Sequence, residues 1–369
     1  MSKNTQLIGR LLPIMIVAFL VTSCASPPEP IEDSGPLVFP TPPDPARFVF
    51  ERTILGTGSA RRQTDEDRLR SLLTGTTVRE GTGFSKPFDV AVHQGRIYVT
   101  DTVNRAVFVI DMPNESGFTF GDRGDDGDVT KPLGIAIDND GRVYVVDNTE
   151  RNIKIYSPVG DFQRKIDVSR WAKRPSGLDV SPDGSRLFLV DTGGVSSQDH
   201  RVLVLDVDKG SLIRSIGTRG TGDGEFNLPR DVHLGPDGLL YVTDGGNFRV
   251  QALTQEGEYV KSWGQPGRRL GQFSRPKGIS IDRDGNVYVA DAAFGNFQIF
   301  APDGSLLMFV GTRSTTPEPA KYMLPAGIDV DEDGRIYFID QFFRKLDVFR
   351  PVTLTETDGW LGRKADTKQ

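Results

Sequence analysis

The chain has 369 residues, 25% of them charged, a formal net charge of −6 and a single cysteine. One sulfur excludes an intramolecular disulfide, a thiolate metal cluster and c-type haem attachment, and a mildly acidic balance argues against a nucleic-acid partner. The 41 glycines and 24 prolines suit many short strands joined by turns, and a closed all-β fold holds a chain of this length as one domain.

At the N-terminus, Lys3 and Arg10 form a positive leader before the mostly apolar run Leu11 to Thr22. That run is shorter than the roughly 20 residues needed to span a bilayer and has signal-peptide proportions. Val21-Thr22-Ser23-Cys24 resembles a bacterial lipobox. The resemblance implies a signal peptide over residues 1–23, a lipid on Cys24 and attachment to a membrane through it. The alternative is a secretory signal with an incidental cysteine, but the lone cysteine falls where cleavage is expected. Ala25 and Ser26 follow, with no Asp directly after the cysteine. Similarity to Gram-negative lipoproteins then implies the outer membrane, facing the periplasm or the surface. Residues 24–46 are rich in proline and read as a semi-rigid spacer.

Phe48 to Gly56 reads as a strand. The insertion that follows contains Thr64 to Leu73, where an N-cap, early acids and paired leucines predict a short helix. Next come six copies of one pattern, starting at Pro87, Pro132, Pro175, Pro229, Pro276 and Pro325. Successive prolines are 45, 43, 54, 47 and 49 residues apart. Each copy ends in an Asp (101, 147, 191, 244, 291, 340) with an aromatic three residues before it. Each reads as four antiparallel strands, and units of this size are propeller blades. After the sixth Asp only one strand, Lys345 to Phe349, is evident. The fourth strand of blade six is therefore expected from residues 48–56, which closes the ring and removes an unpaired edge. The expected organisation is an all-β six-bladed β-propeller over residues 47–351 with a tail at 352–369.

Pro276 to Asp291, read as Pro-x-Gly-Ile-x-x-Asp-x-x-Gly-x-x-Tyr-Val-x-Asp, resembles the NHL repeat. The resemblance covers residues 84–351 and implies a six-bladed propeller; it specifies function poorly. NHL-type propellers include peptidyl-amidoglycolate lyases, which use channel histidines around zinc. None of the positions just after the six prolines is His here, and the three histidines, His93, His200 and His233, lie elsewhere. A zinc site is not carried over.

Three groups of residues are expected at one face, called the top, where the inter-blade loops and the loops after each closing Asp meet. Two residues after the proline, four blades carry Gly (134, 177, 278, 327), whereas the opposed blades one and four carry Asp89 and Asp231. These two could flank a Ca²⁺ ion in the channel, or cap local backbone amides as Asp does in turns. Lys86, Lys131, Arg174, Arg230, Arg275 and Lys277 flank the prolines. They form either a collar that attracts anions or partners for the closing Asp residues. Asp179, His233, Ser280 and Asp329 share the register four after the proline and are candidate channel lining. Asp138-Asn-Asp-Gly141 and its equivalents are hairpin turns and not calcium loops, since the terminal Glu ligand is absent. No cofactor motif is present. The leading expectation is a non-catalytic binding or scaffolding module at the cell envelope, with a protein or small anionic partner. The alternative is a channel lyase or lactonase-like hydrolase using Asp89, Asp231, His233 and a divalent metal.

Overall fold

The computed structural model describes residues 35–61 and 81–362. The expected signal peptide, Cys24, the expected helix over Thr64 to Leu73 and the end of the tail lie outside them.

Six antiparallel sheets form the blades. Blade one shows the plan: Pro87–His93, Arg96–Asp101, Ala106–Asp111 and Ser116–Phe120 pair in sequence order. The innermost strand opens at the proline, which pairs with the closing Asp, and a register shift follows it in every blade. Proline lacks an N–H to donate, so it sits at the strand's first residue, beside the irregularity.

The repeat pattern has a hydrogen-bonding explanation. Each closing Asp is fully buried and accepts backbone N–H groups from the loops on both sides of the top face. Asp101 takes those of Ser85, Lys86, Val103 and Asn104; Asp291 takes those of Ser274, Arg275, Ala293 and Phe294. The conserved-register aromatic is explained at the opposite end. The hydroxyls of Tyr144, Tyr288 and Tyr337 donate to Asp138, Asp282 and Asp331 in the hairpin turns. The same turn carboxylates accept backbone amides two and four residues on, which is turn chemistry.

The glycines after the prolines mark where innermost strands converge. A Cβ on Gly134 would lie 2.5 Å from Ser176 O, and one on Gly278 2.6 Å from Ala326 O. The apolar core lies between blades. Phe297 of blade five, for example, packs its ring on Phe338 and Phe349 of blade six at 4.9 and 5.7 Å between centroids.

The ring closes as the sequence suggests. Phe48–Ile54 pairs antiparallel with Lys345–Pro351, the third strand of blade six. Two features differ from expectation. The proline-rich stretch does not stay clear of the body: Val38–Phe39 adds a fifth strand outside Phe48–Ile54, and Phe39 packs edge-on against Phe349. The tail is also anchored. Gly359–Gly362 forms a helical turn, and Leu361 is buried in the core cluster of blades one and six.

Candidate functional site

Two cavities share the channel. The upper one, at the top mouth, has a volume of about 340 Å³, and the lower one about 230 Å³. Asp89 and Asp231 line both, so they stand at the waist of the channel and not on the exposed top face. The short innermost strands carry them inward, and Asp89 is only 8% exposed.

At this waist the two residues do the same structural job. Asp89 accepts the N–H of Val90 with one oxygen and that of Ile135, in the next blade, with the other, at 3.0 and 3.2 Å. Asp231 does so with Val232 and Ile279, at 3.0 and 3.1 Å. Burial, followed by the charge of Asp231, raises Asp89 well above the carboxylate range; burial raises Asp231 to about 7. Asp179 and Asp329 repeat the arrangement in blades three and six, binding the N–H of Leu234 and Val92 across the next junction at 2.6 and 2.7 Å. Burial raises both, Asp329 to about 7. Ser280 donates to Asp329 at 3.1 Å. Asp179, His233 and Asp329 meet in the lower cavity, whereas Ser280 is fully buried behind Asp329 and does not line it.

His93 and His233 both line the lower cavity, but His200 does not, so no three-histidine set forms. His200 is fully buried with both ring nitrogens engaged, one with Gly194 O and the other accepting Leu228 N–H. His93 pairs with Glu332 at 3.0 Å, and His233 lies 4.0 Å from Asp179. Among the described residues no three His, Cys, Asp or Glu side chains assemble at metal-binding spacing. The oxygens of Asp89 and Asp231 are already used by amides. Their four amide contacts give both carboxylates a structural role.

The cations behave differently. Lys86, Lys131, Arg174, Arg230, Arg275 and Lys277 all line the upper cavity. The closing Asp residues, which the sequence offered as their partners, are taken by backbone amides. Among the described residues, none of the six cations forms an ion pair with a carboxylate. Burial, then repulsion from Arg275 and Arg230, lowers Lys277 to about 8. Arg230 is lowered by burial and by Arg275 and Arg174. Two glycines make room for these stems: a Cβ on Gly245 would lie 2.9 Å from Arg230 Cγ, and one on Gly194 3.3 Å from Arg174 Nη1.

Gln341 completes the lining and was not singled out in the sequence. It is nine-tenths buried, and its Nε2 has no hydrogen-bond partner. It follows a closing Asp directly; Thr102, Asn148 and Thr192 hold that position in other blades and line the same cavity. Aligning that column would have revealed it. Around the mouth, Val103, Val195 and Phe342 in the top loops are 60%, 74% and 58% exposed.

The NHL repeat family matches residues 226–253 and 273–301, which fall in blades four and five. The E3 ubiquitin-protein ligase TRIM71 of Bos taurus is 34% identical over 82 residues, 22% of this chain and 8% of that protein; the chain thus spans under a tenth of that relative's length. A streptogramin B lyase structure superposes with a TM-score of 0.54 at 15% identity, covering 73% of this chain and 94% of the lyase. A gluconolactonase from Xanthomonas campestris superposes with a TM-score of 0.54 at 18% identity, covering 73% of this chain and 86% of the enzyme. At such identities the likeness is one of fold.

Proposed function

We propose that this chain, an NHL-repeat six-bladed β-propeller, is a lipid-anchored binding module of the cell envelope that engages a partner through the top face of its ring. One contrast carries the reading. The channel carboxylates spend their oxygens on the backbone of neighbouring blades, while the cations at the mouth have no acidic partner. The carboxylates thus hold neighbouring blades together, while the uncompensated polar groups gather at the mouth. Exposed apolar side chains on the loops around that mouth add the mixed surface typical of recognition sites. Cys24 supplies the anchor, at the head of a proline-rich stretch whose far end packs on blade six.

The anchor is tested by mass spectrometry of the mature N-terminus. Diacylglyceryl-cysteine at residue 24 is expected, and Cys24→Ala releases soluble protein; an unmodified N-terminus at another residue defeats the proposal. The working face is tested by crosslinking and capture from membranes. Charge reversal by Arg230→Glu with Lys277→Glu weakens capture of the partner, with a dependence on salt. The same change in the hairpin turns of the opposite face leaves capture intact. The enzyme alternative requires a stoichiometric ion, so metal analysis of the purified protein decides it independently.

A further inference from the structure

We propose that the upper cavity is a specific site for a small soluble anion bearing two or more negative charges on phosphate or carboxylate oxygens, seated on Arg174, Arg230, Arg275 and Lys277 with Gln341 as a neutral donor. The inference rests on the binding-module reading and specifies its ligand.

The donor inventory of the cavity leads to this ligand. The neutral polar side chains of the lining are already satisfied by the protein: Thr102 Oγ1 donates to Lys86 O, Asn148 Nδ2 to Pro175 O, and Thr192 Oγ1 to Pro229 O. Lys277 uses one of its three protons, on Pro325 O at 2.8 Å. What remains unspent is cationic, together with the buried amide nitrogen of Gln341. A buried donor without a partner is costly in a folded protein, and a cluster of like charges opposes folding. A ligand that satisfies both explains why they stand together.

Charge sets the ligand's class. Four cations share one cavity, and burial followed by their mutual repulsion pushes Arg230 and Lys277 toward their neutral forms, so one negative charge leaves the cluster uncompensated. Planar guanidinium groups match the paired oxygens of carboxylate and phosphate. The floor orients the ligand. Asp89 and Asp231 close the bottom of the cavity and supply no cation there, which leaves the charged end of the ligand at the mouth beside the lysines and arginines. Leu133, Ala326, Gly177, Gly278 and Gly327 leave only an uncharged, narrow end below. A volume of about 340 Å³ lies at the low end of small-molecule sites, which run from about 300 Å³ upward. That volume takes a compact anion and excludes a folded protein segment.

Titration calorimetry of the purified full chain with inorganic pyrophosphate and with citrate tests the proposal, beside sodium chloride at matched ionic strength. Saturable binding of one anion per chain is expected, together with a rise in melting temperature that chloride does not give. Arg230→Ala with Lys277→Met weakens binding at least tenfold. In anion-free buffer this variant melts close to the parent, because the repulsion it removes offsets the lost Lys277–Pro325 O hydrogen bond. Gln341→Leu, which keeps every charge, weakens binding to a smaller extent and separates a built site from diffuse attraction. The proposal is overturned if pyrophosphate and citrate act only as chloride does, or if the double variant binds them equally well. It is overturned too if only phosphatidylglycerol vesicles, and neither soluble anion, bind in a manner that depends on Arg230. If the double variant loses the anion yet captures its partner from membranes as the parent does, the ligand inference falls while the binding-module reading stands. If anion binding persists and no top-face variant affects capture, the reverse holds.

Discussion

Gly177 and Asp231 meet across the junction of blades three and four, where an added Cβ on the glycine would lie 2.5 Å from the Cα of the aspartate and 2.8 Å from Arg230 O. Gly327 and Asp89 repeat the relationship between blades six and one, with Asp89 Oδ1 2.5 Å from the same hypothetical atom. Backbone cannot move aside as the end of a side chain can. Gly177→Ala is therefore expected to destabilise the ring by about 1–3 kcal/mol, the usual cost of overpacking. Adding Asp231→Ala does not rescue it, since the obstruction is main chain. Denaturant midpoints of the single and double variants check this; full recovery in the double variant would show that the carboxylate alone was the obstacle.

The same aspartates give the protein a pH signature. Asp231 and Asp329 titrate near 7 in the folded chain and near 3.9 when unfolded. Folding therefore takes up protons between these values. The stability these groups contribute is fully present below about pH 4 and is lost as pH rises to about 7. Asp329→Asn removes that dependence, although its amide meets one backbone N–H with a donor and lowers stability at pH 4. The gap in melting temperature between parent and variant is expected to narrow steadily from pH 4 to pH 8. A gap that stays constant would place Asp329 in contact with bulk water at an ordinary carboxylate value.

Much of this architecture was legible because the repeat encodes local hydrogen bonds. The Asp that ends each unit, and in blades two, four, five and six the tyrosine three before it, bind amides and turn carboxylates within their own blade, so they recur at fixed spacing. The closing strand was legible for a related reason: blade six lacked a fourth strand, and Phe48–Ile54 carried the matching pattern. What was missed depends on depth and on contacts between distant segments. Register places Asp89 and Asp231 in opposed blades but does not say that the chain carries them down to the waist. The fate of the cations was left open because both readings needed the same residues. Only the engagement of the closing Asp residues by backbone amides separates them. The tail has no period to read; among its described apolar residues only Leu361 is buried.

That anchorage is itself measurable. Leu361 is packed with Ile97, Ile110 and Met112 of blade one, while its own segment follows blade six. Trp360 N donates to Asp333 at 2.5 Å, which fixes the turn over the hairpin below. Leu361→Ala is expected to cost about 2–4 kcal/mol, as buried leucine truncations do. Removal of residues 352–369 should cost at least as much. Thermal unfolding of both variants checks the assignment, and a truncated protein that melts like the parent would show that the tail is passive.

The strongest clamp on ring closure is one guanidinium. Arg335, in the inner hairpin of blade six, and Glu51, in the closing strand, form an ion pair at 2.9 Å with both side chains fully buried. Arg335 Nη2 donates to Thr355 O and Asp358 O of the tail, at 3.1 and 2.9 Å. A single side chain thus ties together the N-terminal strand, the last blade and the C-terminal segment. Two charges withdrawn from water are costly, and their attraction does little more than offset that cost; removing one partner leaves the other uncompensated. Glu51→Ala is accordingly expected to destabilise the protein by about 3–5 kcal/mol, well beyond a surface ion pair. Replacing the pair with Glu51→Leu and Arg335→Met eliminates the stranded charge and should recover most of the loss. It does not restore the tail contacts, so the doubly substituted protein should release residues 352–362 to proteolysis before the ring unfolds. Chemical denaturation of the three proteins, with limited proteolysis of the double variant, checks both steps. Equal losses for the single and double variants would mean that the pair closes the ring through its hydrogen bonds and not through mutual compensation of buried charge.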